Sequence, residues 1–393
     1  MTPPPTSSTS LARGLEPLLQ NAVSRTEVHH AVLSVERGDG SFRWTGALGP
    51  AGPGGPEMET GTPFFIASVD KTMTAAVVLA LAEEERLHLS QTLSDFLPRE
   101  VAAGLHILNK VDRTDEITLQ HLLGHTSGLP DWLEDRPRGG RSLVEEILEK
   151  GDREVSLEEV ADRVRHRLTP HFPPQPLGEG RQRIVYSDTN YRLLTAVVEA
   201  VEERPVASVY RERLFKPLGL GATWVAGCAR ETREEARENL REGGTTPAPA
   251  ALWAGDDRLE IPLLMSSFHG VYSTVGDLTT FLRSLVDDEL FRNPGTGELM
   301  TRQWNRFPFH LELPPRRPGW PIEYGLGLMR FRLPRALTPF RPLPPVVGHT
   351  GSTGSWLFHC PDLDLYLSGT VDQVAGAGLP FRIVPRILAL FRG

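Results

Sequence analysis

The chain has 393 residues, more than a single compact core holds, so two lobes are expected. Its net charge of −8, with no basic block, excludes nucleic acid and anionic membrane surfaces as partners, because both need a clustered cationic face. Cys228 and Cys360 are too few for a disulfide framework or a thiolate metal cluster, and both read as free and buried.

Residues 1–10 are rich in Pro and Ser and read as a disordered tail. A helix is expected from about Leu11 to Arg25, and then AVLSVERGDGSFRWTGALG alternates like a hairpin with its turn at Gly38 to Gly40. No cationic segment followed by an apolar stretch opens the chain. The longest apolar run, Ala75 to Ala82, is far short of the ~20 residues that span a bilayer, so a cytoplasmic protein is expected. The loop AGPGGPEMETGTP leads into FFIASVDKTMTAAVVLALA, whose helix starts near Ser68 and is apolar on nearly every face, as an interior helix is. ITLQHLLGHTSGLPDW predicts a short helix with Thr118 as N-cap and Gly128 after its end.

From Arg138 to about Leu240 the segments SLVEEILEKG, SLEEVADRVRHRL, NYRLLTAVVEAVEE and ETREEARENLRE carry apolar residues at helical spacing. The last quarter returns to strand patterns in YGLGLMRFRL, PVVGHTG and SWLFHCPDLDLYLSGTVD, before a closing helix in PFRIVPRILALF. Strands at both ends with helices between predict an α+β fold. One sheet domain is expected from residues 11–105 and 255–393, with a mostly helical second lobe, 106–254, inserted.

Three segments carry candidate chemistry. Ser68 and Lys71 stand one helical turn apart, so a hydroxyl can meet an amine and be activated as a nucleophile. Lysine occurs only at positions 71, 110, 150 and 216, which makes one at the mouth of an apolar helix conspicuous. In YSDTNY, Tyr186 can relay a proton, while Asp188 or Thr189 can cap the helix that follows. In GHTGSTGS the glycines let a strand approach a ligand closely. Two other chemistries fail on pattern: His121 and His125 are four apart but lack the Glu of H-E-x-x-H, and no serine has the G-x-S-x-G frame.

In order, Ser68-Val69-Asp70-Lys71, Tyr186-Ser187-Asp188 and His349-Thr350-Gly351 resemble the S-x-x-K, Y-x-N and K-T-G or H-x-G motifs of the serine β-lactamase and penicillin-binding-protein family. LLGHTSGLPDW, LFKPLGL, GVYSTVGDLTTFL and YGLGLMRF look like its class C-type branch, which includes D-alanyl-D-alanine carboxypeptidases, D-aminopeptidases and family VIII carboxylesterases. The resemblance covers roughly Ala31 to Leu390 and implies the fold of that family, an antiparallel β-sheet flanked by helices plus a mostly helical lobe, with the site between them. It implies that Ser68 is the acylated nucleophile, that Lys71 and Tyr186 share its proton, and that the backbone N–H groups of Ser68 and Ser352 form the oxyanion hole. It places Asp188, His349, Thr350 and Gly351 on the substrate side and needs no metal or organic cofactor.

Asp188 stands where the family most often has Asn, and His349 where true β-lactamases usually have Lys. An ionised Asp188 facing the acyl group, with His349 largely neutral near pH 7, would repel a substrate carboxylate. The expected activity is therefore hydrolysis of small esters or amides through an acyl-enzyme, with carboxylesterase first. A D-aminopeptidase, DD-peptidase or β-lactamase is the alternative, and a non-catalytic ligand-binding or scaffold member of the same fold is the reading from another class.

Overall fold

The computed structural model describes residues 8–25, 27–178, 180–227, 248–308, 318–334 and 342–392. Helix α1 (Ser8–Val23) starts three residues before its expected position, and residues 1–7 of the expected tail lie outside the described residues. Ser8, Thr9 and Ser10 read as tail because hydroxyl residues favour caps and turns, yet a first helical turn accepts them. Leu11, Leu15, Leu19 and Ala22 form its buried face.

The hairpin β1 (Ala31–Arg37) and β2 (Arg43–Leu48) follows as expected. Next come α2 (Asp70–Glu83), α3 (Leu119–Leu123), α4 (Leu143–Lys150), α5 (Leu157–Arg167), α6 (Asp188–Glu202) and α7 (Val275–Val286). Strands β3 (Asn305–Arg306), β4 (Ile322–Tyr324), β5 (Met329–Phe331), β6 (Val346–Thr350), β7 (Trp356–Cys360) and β8 (Leu365–Thr370) lead to the closing helix α8 (Pro380–Phe391). Cys360 is free and buried, whereas Cys228 and the expected helix in ETREEARENLRE lie outside the described residues.

The strands form one antiparallel sheet in the order β3-β4-β5-β6-β7-β8-β1-β2. Side chains alternate across a strand, so Ala31, Leu33 and Val35 join the apolar cluster under α1 and α8, while Val32 joins the cluster around α2. Helix α7 lies against β1, β7 and β8, with Thr279 Oγ1 3.0 Å from Ser368 Oγ.

Two local readings change. YGLGLMRFRL is not one strand: β4 ends at Tyr324, β5 begins at Met329, and the Gly325 N–H donates to the Leu328 carbonyl across the turn between them. Gly327 holds φ +74 there, and an added Cβ would stand 2.2 Å from Ala75 Cβ, so its hydrogen lets the turn lie on α2. Helix α3 ends at Leu123 with Gly124 as C-cap, ahead of Gly128, because His125 adopts φ +56 and leaves the helical path.

Helix α2 is buried on all sides, with ten of its 14 residues enclosed. It brings the Ser68 end of the chain into the middle of the molecule, beside β6. No helix among the described residues is long and apolar enough to cross a membrane.

Candidate active site

Phe64–Phe65 pairs with Val271–Ser273, and the chain then turns sharply through Ala67–Val69 into α2. Ala67 has φ +46, a left-handed conformation that costs a non-glycine residue about 1–2 kcal/mol. This strained residue immediately precedes Ser68. No side chain caps the turn or the helix, so Ser68 is not an N-cap.

Lys71 Nζ donates to Ser68 Oγ at 3.1 Å and lies 2.6 Å from Asp188 Oδ1. The second contact is an ion pair at hydrogen-bond distance. Lys71 is 5% exposed, and its Nζ sits over the rings of Tyr186 and Tyr191, 5.4 and 5.6 Å from their centroids. Burial works against the ammonium, yet the Asp188 carboxylate, with Tyr186 and Asp70 adding to it, holds Lys71 well above the usual lysine range. Burial raises the Asp70 carboxyl to about 7; Lys71 opposes that rise and Asp188 adds to it.

Asp188 corrects an expectation. It is the first residue of α6, whose N-cap Ser187 makes no side-chain cap bond, and Thr189 Oγ1 is taken up by the Pro130 carbonyl. The Asp188 N–H is held instead by Asp131 Oδ2 at 2.9 Å, which leaves the Asp188 carboxylate free to reach Lys71. Its charge is therefore compensated, and the expected repulsion of a substrate carboxylate by an unpaired anion loses its basis.

Tyr186 is 8% exposed, and its hydroxyl lies beside Ser68 and Lys71 without full hydrogen-bond geometry to either. Burial raises its phenol above the ordinary range. Its ring packs 4.4 Å from that of His125. His125 Nδ1 accepts from Asn190 Nδ2 at 2.9 Å and from the Ser187 N–H at 3.3 Å, so the neutral ring carries its hydrogen on Nε2. Asn190 Oδ1 in turn accepts from Ser127 Oγ at 2.7 Å.

On the sheet side, His349 is fully buried and presents no surface to a ligand. Its Nδ1 faces the Thr350 carbonyl at 2.7 Å and so carries the hydrogen, while Nε2 lies 3.1 Å from the Tyr324 hydroxyl. Burial, with Lys71 nearby, pushes His349 down to about 3, leaving it neutral. Thr350 is buried and turns its hydroxyl to Met329. Gly351 is placed by closeness: an added Cβ would meet the Ile66 carbonyl at 2.7 Å and Ala67 Cβ at 2.8 Å. The turn that follows is fastened to the approach strand, since Ser355 Oγ donates to the Ile66 carbonyl at 2.7 Å and Thr353 Oγ1 to the Phe65 carbonyl at 3.4 Å. Ser352 is exposed at the tip of that turn.

His121 and His125 do not converge. His121 Nδ1 accepts from the Thr118 N–H, Nε2 faces the Gln175 carbonyl, and His125 points into the tyrosine cluster. Sequence reading assigned no role to Asn190, Asp131 or Tyr324. The signal for Asn190 was a polar side chain in the first turn of a helix with Leu193 and Leu194 on the same face one turn on.

The arrangement is a hydroxyl, an ammonium, a carboxylate and a phenol gathered where a buried helix meets a sheet strand. A family model described as Beta-lactamase matches residues 26–379. The chain belongs to the Beta-lactamase family. It is similar to Penicillin-binding protein 4 of Amycolatopsis lactamdurans, 28% identical over 235 residues that cover 60% of this chain and 53% of that protein. It is also similar to Esterase EstB of Burkholderia gladioli, 27% identical over 341 residues, 80% of this chain and 79% of that protein. A solved D-stereospecific amidohydrolase from Streptomyces sp. shares the fold with a TM-score of 0.69 at 24% identity, covering 95% of this chain and 97% of that one. Across the penicillin-binding relatives that it matches, the chain spans 53 to 62% of their length.

Proposed function

We propose that this member of the Beta-lactamase family is a serine hydrolase that cleaves small esters or amides through an acyl-enzyme on Ser68, with carboxylesterase activity first. The observation that carries the reading is Lys71 Nζ at 3.1 Å from Ser68 Oγ, at the mouth of a helix buried all round. In this reading Lys71 and Tyr186 handle the Ser68 proton. The N–H groups of Ser68 and Ser352 hold the oxyanion, an arrangement supported by the bond from Ser355 to the Ile66 carbonyl. Ester chemistry is favoured by the match to Esterase EstB over 79% of its length. Amide hydrolysis, as in a D-aminopeptidase or DD-peptidase, is the second reading, supported by the likeness to the D-stereospecific amidohydrolase.

Two further expectations belong to this proposal. The chain divides into a sheet domain, 11–105 with 255–393, and a mostly helical domain, 106–254, and the site lies where they meet. The protein is cytoplasmic and acts on a small-molecule substrate without nucleic acid or membrane as partner.

Intact-mass analysis after incubation with a fluorophosphonate and with nitrophenyl esters tests the reading. One adduct is expected on the wild-type protein, mapped to Ser68, and none on the Ser68→Ala variant. Labelling of the variant, or an adduct on Ser127 or Ser352, would overturn it.

A further inference from the structure

We propose that Asp188 is the terminal acceptor of the Ser68 proton, receiving it through Lys71 along the line Ser68 Oγ, Lys71 Nζ, Asp188 Oδ1. The inference rests on the serine-hydrolase reading above and assigns a role that neither lysine nor tyrosine fills in this site. Two distances carry it, 3.1 Å from Nζ to the serine oxygen and 2.6 Å from Nζ to the carboxylate. An ammonium has no lone pair, so Lys71 can take a proton from Ser68 only by giving one up in the same event. Asp188 carries the only carboxylate paired with Nζ among the described residues, and no hydrogen bond from another group competes for its Oδ1. A side-chain amide at this position would hold the lysine but could not take its proton.

The step balances. In acylation the Oγ–H bond of Ser68 breaks as Oγ bonds to the substrate carbonyl carbon, and Lys71 takes that proton while releasing another to Asp188 Oδ1. Lys71 remains an ammonium, Asp188 becomes a neutral acid, and the negative charge passes to the carbonyl oxygen. When the bond to the leaving group breaks, the proton returns from Asp188 through Lys71 to the departing alcohol or amine. Water then repeats the path against the acyl-enzyme and restores Ser68. Tyr186 begins and ends the step as a neutral phenol, its hydroxyl beside both Ser68 and Lys71 and assisting the same transfer.

The geometry also explains how Asp188 is aimed. Its N–H is fixed by the buried Asp131 carboxylate at 2.9 Å, so α6 starts with this side chain pointing at α2 rather than back over its own N–H groups. Other titratable groups face the pair: Asp70 on α2, Tyr186 and Tyr191 around the start of α6, His125 after α3, and Tyr324 and His349 from the sheet.

The test measures kcat/KM for a neutral nitrophenyl ester across pH, with proton inventories in mixed H2O and D2O, for the wild type, Asp188→Asn and Asp188→Glu. The expected Asp188→Asn protein folds but is about 100-fold slower near neutral pH. Its acid limb moves to alkaline pH, because without the carboxylate Lys71 must lose a proton before it can act. Asp188→Glu, which keeps a carboxylate, retains the wild-type acid limb. The wild-type inventory bows, with two protons in flight, and that of Asp188→Asn is linear. An acid limb shared by Asp188→Asn and the wild type, or a linear wild-type inventory, would overturn the relay while leaving Ser68 as nucleophile. Labelling of Ser68→Ala by a fluorophosphonate overturns relay and hydrolase reading together.

Discussion

Ser355 Oγ donates to the Ile66 carbonyl at 2.7 Å, tying the turn after β6 to the chain two residues ahead of Ser68. Both residues are fully buried, so the carbonyl has no water to fall back on. Ser355→Ala therefore leaves that carbonyl with the longer bond from the Val69 N–H at 3.3 Å alone and costs about 1 kcal/mol of stability. Because the same bond registers the turn carrying Ser352 against the segment before Ser68, kcat is expected to fall as well. Denaturant unfolding alongside ester kinetics checks this, and stability lost with kcat intact would separate the bond from the site.

Lys71 and Tyr186 both border the Ser68 hydroxyl. Lys71→Ala and Tyr186→Phe are each expected to reduce kcat by about 100-fold or more, while the double variant loses little beyond the worse single one, as groups acting in one step do. Additive losses in the double-mutant cycle would assign the two side chains to different steps.

Gly327 carries the turn that rests on α2, at φ +74 and against Ala75. Its carbonyl accepts from Thr72 Oγ1 at 2.9 Å, next in sequence to Lys71. Gly327→Ala combines backbone strain with a clash against the helix that bears Lys71, and is expected to destabilise by at least about 2 kcal/mol. A thermal melt reads this directly, and an unchanged Tm would show that the turn shifts without resistance.

Acid sensitivity follows from buried histidines. Burial, with Lys71 adding, drives His349 down to about 3; burial, with Arg192 adding, does the same to His269; and burial, with Lys71 adding, holds His125 well below its ordinary value. In the unfolded chain these rings take protons as pH falls through about 6.5, whereas in the fold they stay neutral. The unfolded state then binds more protons, so this contribution is complete above about 6.5 and is lost as the pH falls. Asp70 opposes it, since its folded-state carboxyl, raised to about 7, keeps a proton that the unfolded chain releases. His349→Gln should flatten the dependence below pH ~6.5 by up to about 1.4 kcal/mol per pH unit. Urea unfolding at several pH values measures the slope, and an unchanged slope would mean that His349 titrates normally.

The sheet hairpin of β1 and β2, the interior helix after Ser68 and the Ser68–Lys71 pair were readable because each depends on local spacing: alternation, an unbroken apolar run, one helical turn. The destination of Asp188 was not. A carboxylate at the start of a helix looks the same whether it caps that helix or reaches across to another, and Asp131, 57 residues earlier, decides which. The ring orientation of His125 escaped for the same reason, since Asn190 stands 65 residues away. The YGLGLMRFRL stretch misled in a different way: apolar residues on both sides of two glycines fit one strand or a tight hairpin, and packing on Ala75 selects the hairpin.

Strand β1 pairs with β8 on one side and β2 on the other, with Val32 opposite both Thr370 and Ala47. During synthesis, then, the segment bearing Ser68 leaves the ribosome long before the strand that joins the two halves of the sheet exists. Until about residue 370 has been made, β6 has no continuous ladder through β7 and β8 to β1, and the turn carrying Ser352 is held to the Ser68 segment by local bonds alone, as from Ser355 to Ile66. Closing so long a loop is slow relative to local helix formation. The nascent chain thus carries Ser68 and Lys71 side by side long before the sheet behind them is closed, and the complete arrangement around Ser68 arrives as one of the last events of folding.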